Sequence, residues 1–193
     1  MRYSVEHKEQ SRKKILEAGR ELFRQHGFEG ASIDQVMNAA SLTRGAFYAH
    51  FDSKEDLVGQ VLSIEAGLVT ALSRAAAAEE PRTSAMTALA DYLDPRQRVN
   101  NATGCPLVAH PVDAIRGSPG LRSGYTDQLK ALIDGLQAAL GDDGMRDDAV
   151  LVAVLTVGAG LLSAASDDDD LADSIEKVCL NHVRTVVEPS ARG

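Results

Sequence analysis

Aromatic residues and cysteines are scarce in this chain. Its 193 residues contain no tryptophan, four phenylalanines, four tyrosines and two cysteines. Only Tyr92 and Tyr125 follow Phe51 among the aromatics, so the last two thirds of the chain offer little material for a pocket that stacks planar molecules. Two cysteines far apart cannot form the disulfide framework of a small secreted protein. We therefore expect a reducing, cytoplasmic environment.

An excess of positive charge, which is typical of nucleic-acid-binding domains, is also missing. The formal net charge is -8 at pH 7. Residues 1–57 contain nine basic and nine acidic residues, whereas residues 58–193 contain eleven and nineteen. The acidic excess therefore lies outside the first segment, which is neutral. Nucleic-acid binding by that segment is compatible with the charge, with a modest dependence on salt.

Long apolar runs are limited to residues 149–165, which read AVLVAVLTVGAGLLSAA. A membrane helix is the alternative to a buried one here. The run is shorter than the roughly 18 to 20 residues that a span needs, includes Thr156 and Ser163, and has acidic clusters on both sides. We expect a buried helix and no membrane partner.

Two short helices joined by a tight turn are predicted between residues 32 and 54. Ser32 and Gln35 have the spacing of a capping box, and an apolar stripe continues to Ala40. Thr43 suits the cap of a second helix, predicted over 44–51. Before this pair, a helix is predicted from Arg12 to about His26, with Gly27 ending it and Phe28 entering the core.

The second helix of the pair combines two anchors with a small, polar-tipped outer face. Phe47 and Phe51 are four residues apart and are expected to dock it. A helix of this kind fits the major groove of B-form DNA, and Arg44 at its start can pair with guanine through two hydrogen bonds.

The run from Gly45 to Leu57 reads G-x-x-Y-x-H-F-x-S-K-E-x-L and resembles the DNA-binding domain of TetR/AcrR-type transcriptional regulators. The resemblance implies an all-α fold. It places an N-terminal three-helix helix-turn-helix DNA-binding domain over 1–57 and a larger helical effector-binding and dimerisation domain over 58–193. It further implies a homodimer that reads a palindromic operator, most often as a repressor, and that a small-molecule effector releases from DNA.

The resemblance also implies roles for single residues. It assigns phosphate contacts to Tyr48, His50 and Lys54, and extends them to the cap hydroxyls of the helix pair. The full set expected at DNA is Ser32, Thr43, Arg44, Gly45, Ala46, Tyr48, Ala49, His50 and Lys54. Because few of these carry polar side chains that read bases, specificity is expected to depend on Arg44, methyl contacts and DNA shape. Each residue alone also fits an ordinary cap or a solvated surface, and only their order favours DNA.

Helices are predicted throughout the rest of the chain, with Pro81 ending the first of them. Their ranges are 53 to about 78, 83–93, 105–116, 119–140, 146–165 and 170–187, with Ser118 capping the helix that begins at Pro119. The tract Asp167–Asp170 lacks the spacing of a calcium loop and is expected to lead into the last helix. The resemblance implies that the helices at 146–165 and 170–187 pair across a two-fold axis in the homodimer.

An effector cavity in the second domain follows from the resemblance alone. The candidate lining residues are Met86, Tyr92, Cys105, His110 and Tyr125, each of which also fits ordinary core or surface. Cys105 opens a predicted helix, where amide dipoles favour the thiolate. A thiol-based sensor of oxidants or electrophiles is therefore an alternative, against the ordinary reading of Cys105 as a small buried hydrophobe.

Two further classes of function compete with DNA-dependent regulation. Cys105, His110 and Asp113 suggest a nucleophile, base and orienter, but on one helix a five-residue step leaves the first two about 140° apart around the axis. The sequence has no phosphate-binding glycine loop, metal-ligand motif or nucleophile elbow, so we expect no catalysis, metal or cofactor. The other competitor is a helical protein-interaction module that does not bind DNA.

Overall fold

The computed structural model describes residues 5–65, 67–141 and 146–188. Every regular element in these ranges is a helix, which confirms the all-α prediction. The helices are α1 Val5–Gly30, α2 Ile33–Ala39, α3 Arg44–Phe47, α4 Lys54–Glu65, α5 Gly67–Ala76, α6 Pro81–Tyr92, α7 Arg98–Gly104, α8 Pro106–Ala109, α9 Pro111–Arg116, α10 Pro119–Leu140, α11 Arg146–Ala165 and α12 Asp169–Val187, with a 3₁₀ turn at Pro95–Gln97.

The chain forms two compact units. The first comprises residues 1–64 and 110–125, and the second comprises residues 65–109 and 126–193. The domain boundary predicted between residues 57 and 58 stays a prediction. The compact units divide the chain after residues 64, 109 and 125. The first unit also includes α9 and the start of α10, which the sequence-based division assigned to the second domain.

The core of the first unit forms around α1. Ile15 and Phe23 of this helix are buried. Gly27 interrupts α1 with φ +69°, so the predicted helix end is confirmed. This conformation is strained for residues with a Cβ, which is why glycine suits the position. Phe28 is buried as expected, and its ring centroid lies 5.3 Å from that of Phe23 in an edge-to-face arrangement.

His110 belongs to this core as well. Its ring centroid lies 4.2 Å from that of Phe28, and its Nδ1 is 3.0 Å from Oδ2 of Asp113. Burial lowers the pKa of His110, and the hydrogen bond to Asp113 partly opposes this shift. Oδ1 of Asp113 lies 3.0 Å from the position that a Cβ on Gly27 would occupy. His110 therefore helps to close the core of the first unit.

One of the predicted helices is wrong in extent. The helix expected from 53 to about 78 is described as α4 and α5, and the prediction at Ala66 between them lies outside the described residues. The helix expected over 105–116 is two short helices, α8 and α9, separated by His110. Pro106 and Pro111 each stand at the start of a helix, where a missing amide hydrogen has no cost. Helix α7 was not predicted.

In the second unit, α11 packs against α12, α7 and α8. The predicted cap of α10 is confirmed, because the Ser118 hydroxyl accepts from the Leu121 amide at 3.4 Å. The acidic tract expected to lead into the last helix supplies the cap of α12, since Oδ1 of Asp168 accepts from the Leu171 amide at 3.0 Å. By length and composition α11 could cross a membrane, with a mean hydropathy of 2.0 in its most apolar window. Core helices of soluble proteins pass the same test, and 39% of that window is buried.

Candidate nucleic-acid interface

Helix α2 begins with the capping box that the sequence predicts. The Gln35 amide donates to Oγ of Ser32 at 3.2 Å, and the Ser32 amide donates to Oε1 of Gln35 at 2.8 Å. Two amides that lack partners at a helix start are thereby satisfied. Val36 and Met37 are buried and dock the helix on the first unit's core. The start of α2 is therefore fixed by local bonds.

The turn between α2 and α3 contains a residue in the left-handed region. Ser41 has φ +57°, and its amide donates to the Asn38 carbonyl at 3.0 Å. The Leu42 amide then donates to the Met37 carbonyl at 2.9 Å. Thr43 takes the extended N-cap conformation that was predicted, but its side chain makes no capping hydrogen bond. The backbone of the turn, and not the Thr43 hydroxyl, thus sets where α3 begins.

Helix α3 is shorter than predicted. It covers Arg44–Phe47, and residues 48–50 continue as turns in which the Ala49 and His50 amides donate to carbonyls three residues back. The predicted anchors are confirmed, because Phe47 and Phe51 are both buried with ring centroids 5.5 Å apart. The Phe51 amide donates to the Phe47 carbonyl at 3.0 Å, so the backbone between the two rings still closes a bond of four-residue spacing.

The residues predicted at DNA form a largely exposed surface on the first unit. Six of them are exposed and three are half-buried. The exposed ones are Ser32, Thr43, Arg44, Gly45, Tyr48 and Ala49, and the half-buried ones are Ala46, His50 and Lys54. A Cβ placed on Gly45 would meet no described atom within 4 Å. Because Gly45 has no side chain, another macromolecule can approach the start of α3 closely.

Arg44 makes an ion pair that the sequence analysis missed. Its Nη1 lies 2.7 Å from Oδ2 of Asp34, in the first turn of α2. Both side chains are more than half exposed, at 61% and 55%. The two residues are ten apart in sequence and lie on different helices. The turn between the helices brings them together, so no helical spacing in the sequence indicates the pair.

His50 lies beside basic residues of α1. Burial lowers its pKa first, and the charges of Lys8 and Arg12 lower it further. Its Nδ1 is a buried atom with no hydrogen-bond partner among the described residues. The Arg12 guanidinium lies 5.8 Å from the centre of the Phe51 ring and also donates to Gln60. Lys8 and Arg12 are four residues apart on α1, which is one helical turn.

A cavity of about 270 Å³ lies in the second unit, and two of the five predicted lining residues, Tyr92 and Cys105, are among its walls. Met86 is buried outside these walls, Tyr125 is not one of them, and His110 belongs to the core of the first unit. The walls are Gly67, Leu68, Ala71, Ala88, Asp91, Tyr92, Gln97, Asn100, Gly104 and Cys105.

Helices α11 and α12 present an exposed apolar face. Val154, Leu162 and Val178 are 62%, 59% and 65% exposed. A groove of about 420 Å³ between the two helices has these residues in its walls, together with Ile175 and Cys179. The Cys179 thiol donates to the Leu155 carbonyl at 3.2 Å, and burial raises its pKa to about 11. An apolar face of this kind requires a cover.

The residues weighed as a catalytic set do not form a described constellation. His110 pairs with Asp113 in the first unit, whereas Cys105 lies in the wall of the second unit's cavity. Within the described ranges, no group of three His, Cys, Asp or Glu residues is arranged to hold a metal ion.

Comparison with known proteins relates the first unit to one family. Residues 15–61 match the family model described as bacterial regulatory proteins, tetR family. The transcriptional repressor AcnR of Corynebacterium efficiens is 28% identical, and the match covers 94% of this chain and 93% of AcnR. The repressor DhaR of a Mycobacterium species is 39% identical over 51 residues, about a quarter of each chain.

A solved structure has a similar fold over nearly the whole chain. The crystal structure of Escherichia coli NemR in its reduced form has a TM-score of 0.73 and 22% sequence identity. The match covers 94% of this chain and 98% of NemR. The likeness therefore includes both compact units and is a likeness of fold.

Proposed function

Because the chain belongs to the TetR family of bacterial regulatory proteins, we propose that it is a dimeric cytoplasmic repressor that binds a palindromic operator and leaves it when a small-molecule effector binds. The observation that carries the proposal is the exposed surface at the start of α3, held by the capped α2 and by two buried phenylalanines. Nothing in this arrangement calls for catalysis, and we infer a regulator without enzymatic activity.

The chemistry of this surface divides the contacts into two kinds. Tyr48, His50 and Lys54 carry groups that donate hydrogen bonds to phosphate, which fix the protein on the duplex without reading sequence. Arg44 stands at the start of α3 and supplies the forked donors that match the O6 and N7 atoms of guanine. Gly45 and Ala46 leave room for close approach to the groove.

Titrating selected and random DNA tests this division. Duplexes selected from a random library by the wild-type protein are compared with unselected duplexes at two salt concentrations. Arg44→Ala is expected to lose about 1 to 3 kcal/mol of discrimination at one base pair in each half-site. Lys54→Ala is expected to weaken binding to all duplexes equally and to reduce the salt dependence. Arg24→Ala, which removes an exposed arginine of α1, is the matched control.

The outcomes separate the classes of function. Equal loss on every duplex for Arg44→Ala would reject Arg44 as the base reader and leave a DNA-binding protein that reads shape. Failure of the wild-type protein to bind any duplex would reject the regulator and favour a protein-interaction module.

The dimer is proposed from the apolar face of α11 and α12. A second copy of the chain is the occupant that fits, because a symmetric pair covers the same apolar residues on both copies. Two copies also supply two reading helices, which a palindromic operator requires about one DNA turn apart.

The cavity of the second unit is the proposed effector site. Among the described residues its walls include the carboxylate of Asp91 and no lysine or arginine, so a neutral or cationic effector is favoured over an anionic one. A thermal-shift screen of small metabolites identifies candidates, because a ligand of the folded state raises the unfolding temperature. Ala88→Leu fills the cavity and is expected to abolish the shift, whereas Ala90→Leu on the same helix does not line the cavity and is the control. A shift that persists in Ala88→Leu would reject this site.

A thiol sensor is the second candidate, since Cys105 is half-buried and lines the same cavity. The Cys105 thiolate would add to the double bond of N-ethylmaleimide, with a proton from water completing the addition. The expected result is release of selected DNA after treatment, abolished by Cys105→Ser. Cys179→Ser is the control, because the raised pKa of that buried thiol suppresses its reactivity. Release that persists in Cys105→Ser would reject the candidate.

A further inference from the structure

We infer that Asp34 is a positioning residue for sequence recognition, which holds the guanidinium of Arg44 in the orientation that reads a base; this rests on the DNA-reading role proposed above for Arg44. The observation is the contact of 2.7 Å between Nη1 of Arg44 and Oδ2 of Asp34. It joins the first turn of α2 to the first residue of α3. Asp34 acts through Arg44 and contacts no base itself.

The fold has little need of this ion pair. Both side chains are more than half exposed, and exposed pairs add little to stability because water and salt screen them. The start of α2 is already closed by the capping box of Ser32 and Gln35. The helix pair is docked by the buried Val36 and Phe47. An effect of Asp34 on recognition can therefore be separated from an effect on folding.

The chemistry of the guanidinium explains how one carboxylate can position it. An arginine has five N–H donors in a rigid planar fork, and pairing with guanine uses two of them. Oδ2 of Asp34 accepts a hydrogen bond from Nη1 of Arg44 and leaves the other donors of the fork available. A free arginine side chain must lose several rotamers on binding, whereas one already held by a carboxylate loses fewer. The carboxylate also offsets the charge of Arg44, which weakens its attraction to phosphates of any sequence.

This positioning has a large share in specificity because α3 has few other readers. Gly45, Ala46 and Ala49 carry no hydrogen-bonding side chain. Arg44 is therefore the polar side chain at the start of α3 on which direct base recognition depends. Loosening this one side chain should lower sequence discrimination without loss of the phosphate contacts.

A double-mutant cycle on the full-length protein tests the inference. Wild type, Asp34→Asn, Arg44→Ala and the double variant are titrated against the wild-type-selected duplex and against versions with each guanine of a half-site replaced. Asp34→Asn is expected to reduce discrimination about threefold to fivefold, which is what an exposed ion pair can supply. The loss should fall at the base pair that Arg44→Ala relaxes, and the double variant should lose no more than Arg44→Ala alone.

Controls and contrary outcomes are distinct. Glu17→Gln removes an exposed carboxylate from α1 and should leave discrimination unchanged, and equal unfolding temperatures show that both variants fold. Equal tightening on every duplex for Asp34→Asn, with discrimination unchanged, would overturn the inference and leave a charge effect only. Additive losses at different base pairs would overturn it too, because Asp34 would then contact DNA itself. If Arg44→Ala relaxes nothing, the base-reading role fails, and the inference with it.

Discussion

The guanidinium of Arg98 donates two hydrogen bonds to the carboxylate of Glu176, one to each oxygen. Nε lies 2.9 Å from Oε1 and Nη2 lies 2.9 Å from Oε2. The Glu176 side chain is 5% exposed and that of Arg98 15% exposed. Nη2 also contacts Asp173 at 2.6 Å, and these hydrogen bonds raise the pKa of Arg98. The pair ties α7, which contributes to the cavity wall, to α12 of the proposed dimer face.

Replacing Arg98 with alanine is expected to lower the free energy of unfolding by about 3 kcal/mol, because it leaves the Glu176 carboxylate buried without a partner. Denaturant unfolding at a fixed protein concentration measures this. Adding Glu176→Gln to Arg98→Ala should restore part of the loss, since the buried charge is gone. Arg96→Ala is the matched control: the Arg96 side chain, which pairs with Asp94, is 87% exposed, and little change is expected. A loss as small as that of the control would contradict the structural role of the pair.

Ser41→Gly is expected to stabilise the protein. Ser41 has φ +57° in the turn before α3, a conformation that costs residues with a Cβ about 1 kcal/mol and glycine almost nothing. The greater entropy of glycine in the unfolded chain offsets part of this relief. The net increase in the free energy of unfolding, measured with denaturant, should be about 0.5 to 1 kcal/mol at most. The opposite change, Gly27→Ala at φ +69° beside Asp113, should destabilise by a similar or larger amount. Two losses, or two gains, would contradict the backbone argument.

Binding to DNA is expected to tighten as the pH falls from about 8 to 6, because phosphate contact raises the pKa of His50. In the free protein, the pKa of His50 is lowered by burial and by the charges of Lys8 and Arg12. His50 is therefore expected to take up a proton when it contacts a phosphate. The sign for folding is the reverse. A histidine whose pKa is lowered in the folded state favours the neutral form, so its contribution to stability is complete above the unfolded pKa of about 6.5 and falls below it.

Titration of selected DNA across this pH range measures the effect. His50→Gln should flatten the dependence, whereas His26→Gln, which replaces an exposed histidine of α1, should leave it intact. An unchanged pH profile in His50→Gln would assign the proton uptake to another group.

Val178→Asp is expected to dissociate the dimer. Val178 is 65% exposed on α12, and a carboxylate there would be buried without a partner at the proposed contact between two copies. Sedimentation velocity should show a monomer, and affinity for the selected palindrome should fall roughly tenfold or more through loss of the second reading helix. Ile115→Asp is the matched control, because it makes the same change at a residue that is 68% exposed in the first unit, away from α11 and α12 in the sequence. A dimer that survives Val178→Asp would place the contact elsewhere.

Features that depend on neighbouring residues in sequence could be predicted. The capping box needs only Ser32 and Gln35, and the helix end at Gly27 needs only the conformational freedom of glycine. Phe47 and Phe51 were identified by their spacing of four. The break before Pro111 was also open to prediction, since the residue before a proline avoids the helical region.

Features that depend on the path of the chain could not be predicted. Arg98 and Glu176 are 78 residues apart, and nothing in either neighbourhood marks the other. Arg44 and Asp34 are closer, but the turn that brings them together has no helical repeat. His110 was assigned to the cavity because its chemistry suits a ligand, and only the fold places it against Phe28.

The core of the first unit is assembled from two distant stretches of the chain. Leu121 packs in the same cluster as Ile15 and Phe47, and His110 covers Phe28. On a ribosome that adds about 5 to 20 residues per second, the DNA-reading helices are synthesised several seconds before the segment that completes their core. During this interval Phe28 lacks the cover that His110 gives it in the folded unit. The first unit therefore completes its core only after residues 110–125 have been translated.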